Sequence, residues 1–367
     1  MPELPELHGM AQVINAHASG RIFINCKKSA LTKLPSVKVP KGSFTIHAQS
    51  RGKELMMTLQ PVSLPENDAA HFDNADKFPH HLKKATYILC NMGMTGFFEA
   101  VPAVKEKHRH AHLSFQATDG SILSYVDVRR FGTWRSVDSL EWPADRGPDP
   151  VQEHDKFRQN VVRSFSANPK KFDKVPICQV LHDQGLFNGI GNYLRAEILF
   201  RAGIAPFASA KDVLASLKEV ADTSHPSDLL TLCRDVPNEV IALRINKYQG
   251  GKQNTSTDSV DSVAANDGDN AWANWLKVYG HDNASWAVDK DGRRIWFRGP
   301  PGKLYRAFAQ KGYLQGKGHF TGSLASATKK PSAMKRPATL TKKRPSSFSG
   351  STRAMKTQKK VLKKLRK

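Results

Sequence analysis

Cysteine is scarce in this sequence, with only four among 367 residues. They are Cys26, Cys90, Cys178 and Cys233. They lie far apart, form no CxxC pair and have no histidine at zinc spacing. We therefore expect four reduced thiols, most of them buried, and no metal site.

Long apolar runs are also absent. No stretch reaches the roughly eighteen apolar residues that a membrane-spanning helix needs. The N-terminus carries Glu3 and Glu6 in place of the basic segment and apolar core of a signal peptide. These absences argue against a membrane role, and we expect a soluble intracellular protein.

Acidic residues are few, since 33 Asp and Glu stand against 56 Lys and Arg for a net charge of +23. Such an excess favours a polyanionic partner. Residues 329–367 contain no acid and fifteen Lys or Arg. Because this segment is also rich in Ser, Thr and Pro, it cannot bury enough apolar surface to offset its ordering entropy. Disorder is expected there, within a basic tail that we begin at residue 301.

The tail carries two basic clusters, KKRP and KKVLKKLRK. Such clusters are typical of nuclear-import signals and of arms that contact DNA without sequence preference. A tail that serves only solubility is the alternative. We expect nuclear localisation.

The pattern along the chain changes near residue 143. Up to residue 142, short runs such as ATYILC and SILSYVDV alternate with turn residues, which predicts an antiparallel β-sandwich. Residues 143–155 are proline-rich and charged, as in a linker. From 156 to about 246 the apolar spacing becomes helical, and the stretch up to residue 270 is expected to be a mobile loop. WAVDKDGRRIWFRG then predicts a β-hairpin.

The first residues, MPELPEL, allow two interpretations. Leu7 and Met10 fall on one helical face, and acids at Glu3 and Glu6 suit the first turn of a helix. After removal of Met1, Pro2 presents a secondary amine, either an ordinary terminus or a nucleophile. The positive end of the helix should lower the pKa of that amine.

Six motifs occur in the order MPELPEL, RGKEL, MGMTG, VRRFG, LFNGIGNYLRAE and DGRRIWFRG. Together they resemble the Fpg/Nei family of DNA glycosylases, most closely its eukaryotic endonuclease VIII-like branch with a zincless finger. The resemblance implies an α+β fold of two domains. An N-terminal helix and antiparallel β-sandwich (1–142) would precede a helix-two-turn-helix domain (156–300), which ends in a zincless hairpin finger (272–300).

The same resemblance implies roles for residues near the terminus. Pro2 would attack C1′ of the damaged nucleotide and form an imine with the opened sugar. Glu3 would handle the ribose protons. Lys53, otherwise an exposed strand-edge lysine, would reach the phosphate and sugar at the lesion. Glu6 would assist or simply cap the helix.

Three side chains match the family's void-filling residues, namely Met94, Arg129 and Phe131. They stand beside glycines at predicted strand ends, where the alternative is that the loop tips fold inward. Side chains of this kind can fill the gap that an extracted base leaves in the stack.

Phosphate contacts are implied at Asn192 and Arg293. Asn192 begins a helix after two glycines, so it is an N-cap, a phosphate ligand or both. Arg293 lies at the hairpin tip, with Arg294 as the neighbouring alternative and packing by Trp286, Trp296 and Phe297 in place of zinc. Lys247 and Tyr248 match the lesion-sensing loop and are candidate base contacts.

The resemblance implies a bifunctional DNA glycosylase and AP lyase of base-excision repair, without a cofactor. It would remove oxidised bases and nick the strand by β,δ-elimination. We expect a monomer that binds damaged duplex, bubble or single-stranded DNA, with a tail that contacts repair proteins. The alternatives are a non-catalytic binder of damaged DNA or chromatin, and an enzyme that uses an N-terminal proline as a base on small molecules, as tautomerases do.

Overall fold

The computed structural model describes residues 1–62, 84–219, 228–243, 271–289 and 291–309. The expectations for Lys247, Tyr248, the loop up to residue 270 and the tail from residue 310 onward lie outside these ranges.

Strands fill the first part of the chain and helices dominate the second. The strands are β1 (Phe23–Lys28), β2 (Phe44–Arg51), β3 (Glu54–Pro61), β4 (Thr86–Asn91), β5 (Gly96–Val101), β6 (Ala111–Ala117), β7 (Ile122–Asp127), β8 (Thr133–Val137), β9 (Ser285–Val288) and β10 (Arg294–Phe297). The helices are α1 (Leu4–Ala18), α2 (His154–Ala167), α3 (Ile177–Val180), α4 (Asn192–Arg201), α5 (Ala210–Leu214), α6 (Leu229–Ala242), α7 (271–275) and α8 (Tyr305–Ala309), with a 3-10 turn at Pro169–Phe172. This order confirms the predicted α+β class.

The first eight strands form one antiparallel sheet in the order β5-β7-β6-β1-β2-β3-β4-β8. The sheet folds over on itself, so that the ring of Tyr125 on β7 packs edge-on against that of Trp134 on β8, with 5.3 Å between the ring centres. The Tyr125 hydroxyl also donates to the carbonyl of Asn91 on β4 (3.3 Å). The two ends of the sheet therefore face each other around a common core, as in the predicted sandwich.

Helix α1 covers this core and also reaches the second part of the chain. Its apolar face, including Leu7, Met10 and Ile14, is buried against the sheet. Leu4, one turn earlier, packs instead among the apolar residues of α2 to α6. The backbone N–H of Leu4 donates to the carbonyl of Gly189 (3.1 Å). The first turn of α1 thus joins the two cores.

The segment predicted to be a linker makes buried contacts. Asp149 is 1% exposed, and its carboxylate accepts hydrogen bonds from the backbone N–H groups of Gly52, Val151 and Gln152. Arg51 pairs with Glu153 at 2.5 Å. The turn between β2 and β3 is therefore held against residues 149–153.

Two helices are shorter than their apolar spacing predicts. Helix α3 ends at Val180 and turns follow it, in which the Asp183 carboxylate accepts the backbone N–H of Gly185 and the Asp183 carbonyl accepts those of Leu186 and Phe187. Helix α5 ends at Leu214. Apolar spacing alone did not reveal these turns.

The hairpin finger has the predicted aromatic packing. Trp286 and Trp296 are cross-strand neighbours, and the guanidinium of Arg294 lies 4.5 Å from the Trp286 ring centre. Residues 301–309, which the sequence assigns to the disordered tail, are ordered instead. The backbone N–H of Phe207 donates to the carbonyl of Pro301 (2.8 Å), and Tyr305 packs on the Phe207 ring at 5.2 Å.

All four cysteines are free thiols, and Cys90, Cys178 and Cys233 are buried, as expected. Across the part of the chain that the structure describes, every helix is too short or too polar to cross a membrane.

Candidate active site

The carboxylate of Glu3 lies at the N-terminus of α4. One oxygen accepts hydrogen bonds from the backbone N–H groups of Gly191 (2.8 Å) and Leu194 (3.1 Å), and the other accepts from that of Tyr193 (3.0 Å). Glu3 is 1% exposed. These donors are the N–H groups that a helix leaves unpaired at its first turn, where the helix dipole also favours an anion. A residue at the start of the chain therefore caps a helix some 190 positions later.

Glycines permit this approach. A Cβ on Gly191 would lie 2.1 Å from the Glu3 carboxyl carbon, closer than any side chain allows. Gly52 has a φ of +58°, and a Cβ there would meet the Asn188 side chain at 1.9 Å. The RGKEL and GIGN motifs thus use glycine to bring the β2–β3 turn and the start of α4 into contact.

The expected N-cap at Asn192 is wrong. The N-cap of α4 is Gly191, which has no side chain to offer, and Glu3 supplies the capping carboxylate instead. The Asn192 side-chain oxygen accepts a hydrogen bond from Arg195 (2.6 Å). Its amide nitrogen remains a potential donor toward an anion.

The terminal amino group lies among the predicted catalytic residues. In this chain it belongs to Met1, so the nitrogen of buried Pro2 is still in a peptide bond. Burial lowers the pKa of the amino group, while Glu3 and Glu6 oppose this change and Lys53 adds to it. This lowering belongs to the Met1 amino group and comes mainly from burial, so the effect of the helix end on the Pro2 amine stays a prediction.

Glu6 has a capping role and an unusual pKa. One of its oxygens accepts from the backbone N–H of Glu3 (2.8 Å), and the Tyr193 hydroxyl donates to the other at 3.0 Å. Burial, together with the charge of Glu3, raises the pKa of Glu6 to about 7. Burial also raises the pKa of Glu3, against the opposing effects of Lys53 and the three backbone N–H groups.

Lys53 points into the same site. Its ammonium donates to the carbonyl of Ile190 (2.7 Å), immediately before α4. Burial lowers the pKa of Lys53 to about 8, although Glu3 favours its charged form. The lysine is thus still mostly protonated at neutral pH, next to a buried carboxylate and an amine with a lowered pKa.

The loops that carry the predicted wedge residues are joined by Asp127. This carboxylate is 1% exposed, and it accepts from the Thr95 hydroxyl (2.5 Å) in one loop and from the backbone N–H of Gly132 (2.8 Å) in the other. A Cβ on Gly93 would lie 2.5 Å from the backbone nitrogen of Gly132. The two loops are therefore in direct backbone contact.

The wedge side chains themselves are exposed. Met94 is 40% and Phe131 is 56% exposed, and the guanidinium of Arg129 lies 4.8 Å from the Phe131 ring centre. Inward folding of the loop tips, the alternative considered from the sequence, does not occur. The charge of Arg129 also helps to lower the pKa of the terminal amino group, so the predicted wedge is near enough to the predicted catalytic residues to act on them electrostatically.

A buried ion pair connects Asn192 to the hairpin tip. Arg195, which is 0% exposed, pairs with Asp289 at 3.1 Å and donates to the Asn192 oxygen. The other oxygen of Asp289 accepts from the backbone N–H groups of Asp291 (2.9 Å) and Arg293 (2.8 Å). Asn192 and Arg293 are thereby held in one network, whereas Arg294 packs on Trp286.

Sequence reasoning missed four residues of this site. They are Asp127, His182, Tyr193 and Arg195. Tyr193 and Arg195 stand in the LFNGIGNYLRAE motif, and Asp127 precedes VRRFG, so the motifs contained a partial signal. Their contacts are with residues distant in sequence, and no local sequence pattern predicts such contacts. Among the described residues, no group of three or more His, Cys, Asp or Glu side chains could hold a metal ion.

Comparisons with known proteins identify related domains and a related fold. Residues 1–134 match the model of the formamidopyrimidine-DNA glycosylase N-terminal domain, and residues 270–306 match that of the endonuclease VIII-like 1 DNA-binding region. The fold is similar to that of MutM (Fpg) from Thermus thermophilus, with a TM-score of 0.54, 23% identity and coverage of 82% of this chain and 100% of that one.

Two mammalian proteins are more similar in sequence. Endonuclease 8-like 1 of Mus musculus is 38% identical over 321 residues, which cover 83% of this chain and 74% of that protein. Endonuclease 8-like 1 of Homo sapiens is 37% identical over 320 residues, with the same coverage. The chain belongs to the Fpg/Nei family of DNA glycosylases.

Proposed function

We propose that this protein is a DNA glycosylase with AP lyase activity that removes oxidised bases in base-excision repair. The observation that carries the proposal is the meeting of a terminal amine of lowered pKa, a buried carboxylate and a partly desolvated lysine at the start of α4. A neutral amine next to a proton-handling carboxyl is what imine chemistry on a sugar requires.

The nucleophile in this proposal is Pro2 after removal of Met1. Its secondary amine attacks C1′ of the damaged nucleotide, the bond from C1′ to the base breaks, and the departing base takes up the proton that the amine releases. Opening of the C1′–O4′ bond leaves an iminium ion and a 4′-hydroxyl, with the proton supplied by Glu3. Loss of a C2′ proton then breaks the bond to the 3′ phosphate, and a second elimination releases the 5′ phosphate. Hydrolysis of the iminium restores the amine.

Lys53 serves the charged parts of the substrate. Because it is still mostly protonated at neutral pH, it can bind the phosphate next to the lesion. Asn192 and Arg293 supply further phosphate donors from the start of α4 and the hairpin tip. The network through Arg195 and Asp289 supports this assignment, since it holds the side chain of Asn192 and the backbone of Arg293 before DNA binds.

Extraction of the base is assigned to the joined wedge loops. Withdrawing a base from the stack costs a few kcal/mol, and apolar or planar groups inserted into the gap offset part of that cost. Met94, Arg129 and Phe131 are exposed at one point of the surface and border the catalytic residues. Lys247 and Tyr248 stay candidates for contacts with the flipped base.

The cellular location stays a prediction from the sequence. The clusters KKRP and KKVLKKLRK favour import into the nucleus, where the protein would act on chromosomal DNA. Contacts of the tail with repair proteins are likewise proposed from its charge.

Trapping of the imine tests the mechanism. The full chain, shown by intact mass to begin at Pro2, is incubated with duplex DNA that contains one abasic site, and sodium borohydride is added. We expect a covalent protein–DNA adduct whose yield falls in Pro2→Gly, because glycine offers a primary amine, whose neutral imine must be protonated before borohydride reduces it. Pro5→Ala is the matched control, because it changes the other proline near the start of the chain and leaves the secondary amine of Pro2 in place.

An adduct of equal yield in Pro2→Gly would contradict Pro2 as nucleophile. Tight binding of the abasic DNA by a wild-type protein that forms no adduct would instead favour a non-catalytic damage binder.

A further inference from the structure

His182 emerges from a rigid turn after α3. Its backbone N–H donates to the carbonyl of Gln179 (3.1 Å), and its carbonyl accepts from the Gln184 side chain (3.0 Å). The same Gln184 nitrogen donates to the carbonyl of Ile190 (3.1 Å), just before α4. The backbone of His182 is thus tied to the loop that receives Lys53.

The imidazole of His182 contacts the hairpin finger. Its Nδ1 lies 3.3 Å from Nη1 of Arg293, across 111 positions of sequence. A guanidinium can only donate hydrogen bonds, so Nδ1 must be the acceptor and the ring proton must be on Nε2. This contact therefore requires a neutral imidazole.

The surroundings of His182 favour the neutral form. Burial lowers its pKa to about 2, and the nearby charges of Arg195, Lys53 and Arg293 act in the same direction. Only the Gly191 backbone opposes them. The neutral form, which provides the acceptor that the contact requires, is therefore favoured at neutral pH.

A neutral acceptor has a particular use next to a phosphate-binding arginine. Nη1 of Arg293 also pairs with the exposed carboxylate of Asp291 (3.1 Å). Asp291 cancels the arginine charge and would compete with a phosphate, whereas His182 orients the guanidinium and leaves its charge intact. Both contacts use Nη1, and among the described residues Nε and Nη2 of Arg293 have no partner.

We propose that His182 is a positioning residue that holds the guanidinium of Arg293 in the orientation that binds a DNA phosphate. The inference rests on the proposed function, in which Arg293 is a phosphate ligand. Ordering a long side chain before binding removes part of the entropic cost of the contact, so His182 would act on affinity for DNA through Arg293.

A double-mutant cycle tests this role in the full chain. The ligand is duplex DNA with a tetrahydrofuran abasic-site analogue, which binds but has no C1′ leaving group. We expect His182→Leu to raise the dissociation constant about tenfold, because a hydrogen bond to a charged group is lost. In an Arg293→Ala background the same substitution should change it less than about twofold. His182→Asn, whose amide oxygen can replace Nδ1, should restore most of the affinity.

The proposal would be overturned if His182→Leu changed the dissociation constant equally with and without Arg293, or did not change it at all. It would also be overturned if His182→Asn failed to restore the affinity. If the leucine variant does not fold, His182→Ala enters the same cycle. The analogue reports binding alone. If the cycle shows coupling between His182 and Arg293 but the borohydride experiment gives no adduct, the lyase function is disproved while the positioning role of His182 is still supported.

Discussion

The carboxylate of Glu3 accepts the backbone N–H of Gly191 at 2.8 Å, so the residue next to the proposed nucleophile, Pro2, caps a helix of the other core. The position of the Glu3 carboxyl, to which we assign the proton transfers, is thereby coupled to the contact between the start of α1 and the start of α4. The same groups hold the two helices together and take part in the proposed chemistry. Substitutions at the start of either helix should therefore affect both stability and activity.

Gly191→Ala should disable the site. The added Cβ would lie 2.1 Å from the Glu3 carboxyl carbon and would displace it. Because a misplacement of about 1 Å can cost about 100-fold in rate, we expect a loss of that order in single-turnover nicking of abasic DNA. Gly185→Ala, in the same loop, is the control, since its Cβ meets nothing closer than 3.2 Å. Equal activity of the two variants would contradict the role of the Glu3–Gly191 contact.

DNA binding should weaken at alkaline pH because of Lys53. Its pKa is lowered to about 8, and a bound phosphate favours the protonated form, so affinity falls as pH rises through about 8. With one linked proton, the fall is at most about tenfold per pH unit. Lys53→Arg should move this decline to higher pH in an anisotropy titration. Lys28→Arg, at an exposed position of β1, should leave the pH profile unchanged. If Lys53→Arg has the same profile as the wild-type protein, Lys53 is not the group that causes the decline.

The stability of the fold should depend on pH through Glu6. Its pKa is about 7 in the folded protein against an ordinary value of 4.5, so the folded state binds more protons between those pH values. The free energy of unfolding therefore falls as pH rises through this window, by up to about 3 kcal/mol from this group. Glu6→Gln should remove that part of the fall in urea unfolding at pH 5 and pH 8. Parallel pH profiles for the two proteins would refute the assignment.

Removal of a wedge side chain should slow base excision from duplex DNA more than from single strands. Phe131→Ala leaves the gap in the stack unfilled, and we expect about a tenfold slower single-turnover release of an oxidised base from duplex. A single strand has no paired base to extract, so its excision rate should change less. Leu140→Ala is the control, because Leu140 is 43% exposed but outside both wedge loops. Equal slowing on both substrates would argue against a wedge.

Much of the fold could be predicted from local pattern. Alternating apolar residues indicated the strands, spacing of three and four indicated α1 and α6, and the DKDG turn indicated the hairpin. Predictions failed where turns interrupt a helical apolar spacing, as after Val180, where the Asp183 carboxylate accepts the backbone N–H of Gly185. They also failed at residues 301–309, which are ordered by contacts with Phe207 that composition does not reveal.

By itself the sequence determined the strands and helices, the basic charge and the residue types of the site, because these follow from local spacing and from short motifs. Tertiary structure alone decided that Glu3, not Asn192, caps α4 and that Asp127 joins the two wedge loops. It also placed His182 against Arg293. The physical reason is that each of these contacts joins groups that come together only when the two cores form. A buried polar group must have a hydrogen-bond partner, and which group becomes its partner depends on proximity in the folded chain.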